Sequence, residues 1–154
     1  MHKAIEKGLL ENTILLIDKG VEMDACNNKG VTSLHLASKH GHYDPFRLLL
    51  NSGANVNPVT RHTEETLLMY TASAGSIELY QILLRREADV NVVSNNKITS
   101  LMLAADAGNV DIVQELLSKD VDPKLSKYES RESRGPATEF RHRPIQRLLD
   151  GQNV

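Results

Sequence analysis

His35, His40 and His42 fall within eight residues of a 154-residue chain, and imidazoles this close together invite a metal ion or a proton relay. A metal needs ligands that converge. His35 and His40 are five positions apart, about 140° around a helix, so on a helix they diverge. His42 follows Gly41, where a helix is expected to stop. No Cys, Asp or Glu completes a set with zinc-like spacing, so no metal and no cofactor is expected. Other chemistry is equally thin. Cys26 is the only cysteine, lacks the sequence context of a nucleophile, and reads as an inert thiol near a loop. Glu64 and Glu65 form a carboxylate pair in what reads as an exposed loop, hence a solvated pair. Neither a phosphate-binding glycine loop nor a G-x-S-x-G elbow occurs.

The totals narrow the class of protein. Hydrophobic residues make up 40%, too many for a disordered chain. With no Trp and only two Phe, the core must be built from Leu, Ile, Val and Ala, which favours packed helices. The net charge is −2 with both signs interspersed, which argues against a nucleic-acid partner. A single cysteine rules out an intramolecular disulfide and fits a reducing compartment. The apolar run Ile14 to Ile17 is too short for a secretory or membrane-spanning segment. A cytoplasmic protein is expected, a nuclear one being the alternative.

The histidines belong to a larger pattern. TSLHLASKHG (Thr32 to Gly41) is echoed by TLLMYTASAG (Thr66 to Gly75) and TSLMLAADAG (Thr99 to Gly108), with the glycines 34 and 33 residues apart. Each echo is followed by an apolar helical run, Pro45 to Leu50, Leu79 to Leu84 and Ile112 to Leu117. A third element follows: GANVN at Gly53, EADVN at Glu87 and the looser DVDP at Asp120. A shorter copy precedes them, with GVEMDA at Gly20 and most of the first helix lacking. Chemistry fits these positions. Thr32, Thr66 and Thr99 stand where a hydroxyl caps free N–H groups. Gly41, Gly75 and Gly108 stand where a helix closes with positive φ. Ala37 and Ala104 let helices approach closely. Leu34, Leu36, Leu48 and Leu49 lie on faces that only an adjacent copy covers.

This order of parts, at a period of about 33, resembles the ankyrin repeat. The best copy carries Gly30, Thr32, Ser33, Leu34, His35, Ala37, Gly41, Leu48, Leu49, Gly53, Ala54, Val56 and Asn57 against the family's G-x-T-P-L-H-x-A, glycine turn, Leu-Leu helix and G-A-D-V-N. The likeness covers roughly residues 1–125. It departs at Ser33 and Ser100, where the family has Pro, and in the second copy, where Glu64 replaces the turn glycine, Thr71 the helix alanine, and one extra residue sits near Thr60–Glu65. The resemblance implies an all-α solenoid of stacked helix-turn-helix units joined by short hairpin loops. Its expected divisions are an N-terminal half repeat (1–25), repeats at 26–59, 60–92 and 93–125, and a polar loop with a partial repeat (126–154). It also implies that His35 hydrogen-bonds locally and that His42 begins a second helix. Met69 and Met102 occupy the His35 slot elsewhere, and Ser76 and Asn109 the His42 slot, so no repeated catalytic role is possible.

For this family the resemblance places partner binding on the concave side, at the hairpin tips and the exposed face of each first helix. The corresponding positions are Asn28, Lys29, Val31, Lys39 and His40; then His62, Thr63, Glu65, Ser73 and Ala74; then Asn95, Asn96, Ile98, Asp106 and Ala107. The row runs from basic (Lys29, Lys39) to weakly acidic (Asp106), with Val31 and Ile98 as exposed apolar points suited to a protein partner. Beyond Pro123 the pattern breaks. Residues 125–143 read as a polar loop, and 144–150 as a helix that caps the stack through Ile145, Leu148 and Leu149. The expected activity is non-catalytic protein binding by a monomer, as an adaptor or scaffold. The alternatives are a small inhibitor of a transcription factor or kinase, and a fragment of a larger ankyrin-containing enzyme or effector.

Overall fold

The computed structural model describes residues 1–119, Val121 and Leu149. Among them are eight helices and no strand: α1 (His2–Glu6), α2 (Leu10–Asp18), α3 (Ser33–His40), α4 (Tyr43–Asn51), α5 (Leu67–Ala74), α6 (Ile77–Arg85), α7 (Ser100–Ala107) and α8 (Val110–Leu117). Helices of five to nine residues are too short to persist alone in water, so packing must hold them. They pair in sequence order, α1 with α2 through α7 with α8. The odd-numbered helices stack into one layer and the even-numbered helices into another. The shortened first unit keeps a five-residue first helix, α1.

Caps and stops fall at the repeating positions. Thr32, Thr66 and Thr99 accept hydrogen bonds from the amides of His35, Met69 and Met102. Gly41, Gly75 and Gly108 end the same three helices with φ of 66°, 75° and 80°. The second helices have no such side-chain cap, and at two of their starts the side chain reaches backwards instead. His42 Nε2 donates to the Glu6 carbonyl (3.2 Å), and Asn109 Nδ2 to the Ala72 carbonyl (2.6 Å). One repeat is thereby tied to the one before it.

The core is a set of rows, each filled once per unit. Leu34, Leu68 and Leu101 form one, Phe46, Tyr80 and Val113 another, and Leu49, Leu83 and Leu116 a third; all are buried. Each such side chain gains about 2 kcal/mol by leaving water, and only a neighbouring unit supplies the far wall. Ala37 and Ala104 are fully buried between first helices. Thr71 replaces alanine there, and its hydroxyl is satisfied on its own helix, donating to the carbonyls of Leu67 (3.1 Å) and Leu68 (3.0 Å). Leu36 and Leu48 are half-buried. Leu149 packs, half-buried, against the core. The rest of the expected capping helix, the loop over 125–143 and the end of the DVDP echo lie outside the described residues.

Candidate functional site

A short hairpin precedes α3, α5 and α7. Its first residue braces its own turn through a side chain, although the residue type changes each time. Asn27 Oδ1 accepts from the amides of Lys29 (2.9 Å) and Val31 (3.1 Å). Thr60 Oγ1 accepts from the Glu65 amide (2.9 Å) and shares a hydrogen bond with Thr63 Oγ1 (2.7 Å). Ser94 Oγ accepts from the Ile98 amide (3.1 Å). The braced turns then bond to one another. The Arg61 amide donates to the Lys29 carbonyl and the Asn95 amide to the Thr63 carbonyl, both at 2.9 Å. Asn95 Nδ2 also donates to the His62 carbonyl (3.1 Å). The result is a continuous row of tips held by backbone.

The second tip has one more residue between its paired ends, Thr60 and Glu65, than the others have between Asn27 and Val31 or Ser94 and Ile98. Glu64 takes the left-handed conformation (φ 54°) that Gly30 takes in the first tip, and Lys97 (φ 61°) does so in the third.

Along this row Asn28, Lys29, His62, Asn95 and Asn96 are exposed, as are Lys39, His40, Ser73, Ala74, Asp106 and Ala107 in the last turns of the first helices. Lys29, Lys39 and Asp106 form no ion pair with described residues, so their charges face solvent. Four expected contact residues are less available. Val31 and Ile98 are half-buried rather than exposed, because the tips stack side by side; the Val31 carbonyl also accepts from His2 Nε2 (3.0 Å). Thr63 is half-buried and committed to its own turn. Glu65 is half-buried beside Tyr70, so Glu64 and Glu65 are not one solvated pair. Burial, then the Glu65 carboxylate, raises the Tyr70 hydroxyl above its ordinary pKa.

Cys26, Val59 and Val93 extend the row in a way the sequence reading passed over. They stand 33 and 34 residues apart, each just before a bracing residue, and all three are exposed. Val59 and Val93 are 49% and 45% exposed, more than Val31 or Ile98. The repeat register was the signal that could have found them. Val59 also borders a 120 Å³ cleft between units, walled by Val56, Leu67, Leu68, Ala88 and Val92.

The three opening histidines part company. His35 is buried; its Nδ1 accepts from the Thr32 amide (3.1 Å) and lies 3.0 Å from Thr32 Oγ1. This assigns the ring proton to Nε2, which has no hydrogen-bond partner of good geometry among the described residues. Burial pushes the imidazole pKa down to about 4, the nearby Glu65 backbone opposing that only in part. The ring also meets Tyr70 edge-on at 5.0 Å. His40 and His42 stack on each other at 5.7 Å. Among the described residues no three His, Cys, Asp or Glu gather in a way that could hold a metal, and no helix is long and apolar enough to cross a membrane.

Comparison with known proteins agrees with this geometry. Residues 1–60 and 57–127 match the family model for ankyrin repeats in three copies. The chain is similar to a probable E3 ubiquitin-protein ligase, XBOS33, of Oryza sativa subsp. japonica (32% identity over 84 residues, 54% of this chain and 16% of that protein). It is likewise similar to the transient receptor potential channel pyrexia of Drosophila melanogaster (33% over 86 residues, 55% and 9%). A third relative is the ankyrin repeat and SOCS box protein 3 of Bos taurus (34% over 86 residues, 54% and 16%). The chain thus spans 16% or less of the length of these relatives.

Proposed function

Because the chain belongs to the ankyrin-repeat family, we propose that it works as a non-catalytic recognition module, an adaptor that engages a protein partner along its row of hairpin tips and first-helix ends. The observation that carries this reading is the division of labour within each tip. Backbone and bracing side chains do the stacking, through bonds such as Asn95 N–H to Thr63 O. Asn28, Lys29, Lys39, His40, His62, Ser73, Asn96 and Asp106 are exposed, and none of their side chains takes part in it. The exposed Cys26, Val59 and Val93 belong to the same surface and supply the apolar contact for which Val31 and Ile98 are less available. A prearranged surface of this kind binds without first ordering its own loops, which favours affinity.

The test places a photo-crosslinker at Asn28 or Asn96 and identifies what it captures in cells. Charge reversal at Lys29 and Lys39, or Val59→Asp with Val93→Asp, should abolish capture while the thermal melt stays within a few degrees of the parent. Capture that survives both pairs of changes removes this surface as the binding site.

A further inference from the structure

A second site lies among the even-numbered helices. Tyr43, Arg47 and Asn51, one turn apart along α4, form one wall of a 360 Å³ groove; Ile82, Arg85 and Arg86, from α6 and its end, form the other. Among the described residues no carboxylate lines it. Arg86 is pinned, donating from Nη1 to the Leu50 carbonyl (3.3 Å) and from Nη2 to Asn51 Oδ1 (3.0 Å), where it answers the carbonyl end of α4. Arg47 and Arg85 bond to nothing among the described residues. Stacking does not ask for this cluster. In repeat register Arg47 corresponds to Gln81 and Gln114, Arg85 to Asn51 and Ser118, and Arg86 to Ser52 and Lys119. Three arginines therefore line one inter-helix groove, and none of their counterparts in register is an arginine.

We propose that this groove docks a phosphorylated side chain of a partner protein. The positive charges that line the groove form no ion pair with described residues, and one multiply charged anion answers several of them better than a single carboxylate does. A phosphate monoester carries about −1.5 to −2 at neutral pH and offers three acceptor oxygens. Guanidinium forks match that geometry with paired N–H donors. The groove is also too large for phosphate alone, and the Tyr43 ring and Ile82 give the carbon of a peptide something to lie on. A lipid surface fits less well. Asp44 and Glu78 are exposed on the same two helices, and Glu87 is exposed just past Arg86, so a flat anionic sheet laid along these helices would meet carboxylates as well as arginines.

The test uses the isotopically labelled full chain and NMR at low salt. The probes are a short neutral Gly/Ser peptide carrying one phosphoserine, its unphosphorylated form, inorganic phosphate, and phosphatidylserine vesicles. Saturable shifts over residues 43–51 and 82–86 are expected with the phosphopeptide, with none from the plain peptide and weaker ones from inorganic phosphate. R47Q/R85Q should weaken phosphopeptide binding by about tenfold or more with an unchanged melt, and R47K/R85K should fall between. If the double variant melts early, R47Q alone carries the comparison. The proposal is overturned by equal response to both peptides, by shifts centred elsewhere, or by parental affinity in the glutamine variant. It is also overturned by inorganic phosphate binding as tightly as the phosphopeptide, or by vesicle binding without a phosphopeptide response.

Discussion

Asn109 lays its side-chain amide over Gly75: Nδ2 donates to the Ala72 carbonyl, and a methyl group added to Gly75 would stand 2.6 Å from Asn109 Oδ1. Gly75 also has φ 75°. Two costs therefore combine in Gly75→Ala, left-handed strain of about 1–2 kcal/mol and a collision with the next unit. Gly20, at φ 70°, has nothing within 4 Å of that position and would incur the strain alone. Urea unfolding should show Gly75→Ala losing about 2–3 kcal/mol and Gly20→Ala about 1 kcal/mol. Equal losses would mean that the junction yields freely.

The converse substitution should stabilise. Lys97 (φ 61°) is held in the conformation that glycine adopts at the first tip. Lys97→Gly removes that strain while giving back some unfolded-state entropy, for a net gain of about 0.5–1 kcal/mol. A higher urea midpoint with unchanged slope is the expected result; a lower midpoint would show that the lysine side chain contributes to the fold.

Tyr80 occupies the row filled by Phe46 and Val113, but its buried hydroxyl finds no hydrogen-bond partner among the described residues. Burial, with the charge of Glu115 adding to it, raises the pKa of this phenol, so it stays neutral. Tyr80→Phe deletes an unsatisfied polar atom and keeps the ring. Stability should rise by about 1 kcal/mol, read from thermal or urea melts. A fall would reveal a partner for the hydroxyl.

His35 makes the fold acid-sensitive. Its native pKa of about 4 lies below the usual 6.5, so between those two pH values the unfolded chain takes up this proton and the folded chain does not. The His35 contribution is complete above pH 6.5, declines as pH falls towards 4, and is spent below that, a total on the order of 3 kcal/mol. His35→Met, the residue at the matching slots 69 and 102, should give a lower urea midpoint at neutral pH and a flatter profile between pH 6.5 and 4. An unchanged slope in that interval would assign the acid response to other groups.

The stack was legible from the threonine caps, the closing glycines and the leucine rows, because each is a backbone or burial demand that recurs in every unit and so marks the sequence repeatedly. The exposed residues were only partly legible. Val31 and Ile98 follow one tip apiece, and the lateral bonding that half-covers them involves backbone, which carries no residue signature. The braces at Asn27, Thr60 and Ser94 escaped for a related reason: an amide oxygen and two hydroxyls do the same work, so no single letter repeats. The groove of Arg47, Arg85 and Arg86 was illegible because its walls come from different units.

The additional residue between Thr60 and Glu65 is absorbed at the apex, and the bonds on either side keep step. Length changes at an apex are therefore decoupled from the phasing of everything behind it. Loops grafted there could enlarge or reshape what the molecule grips, with the helices beneath unaware of the edit.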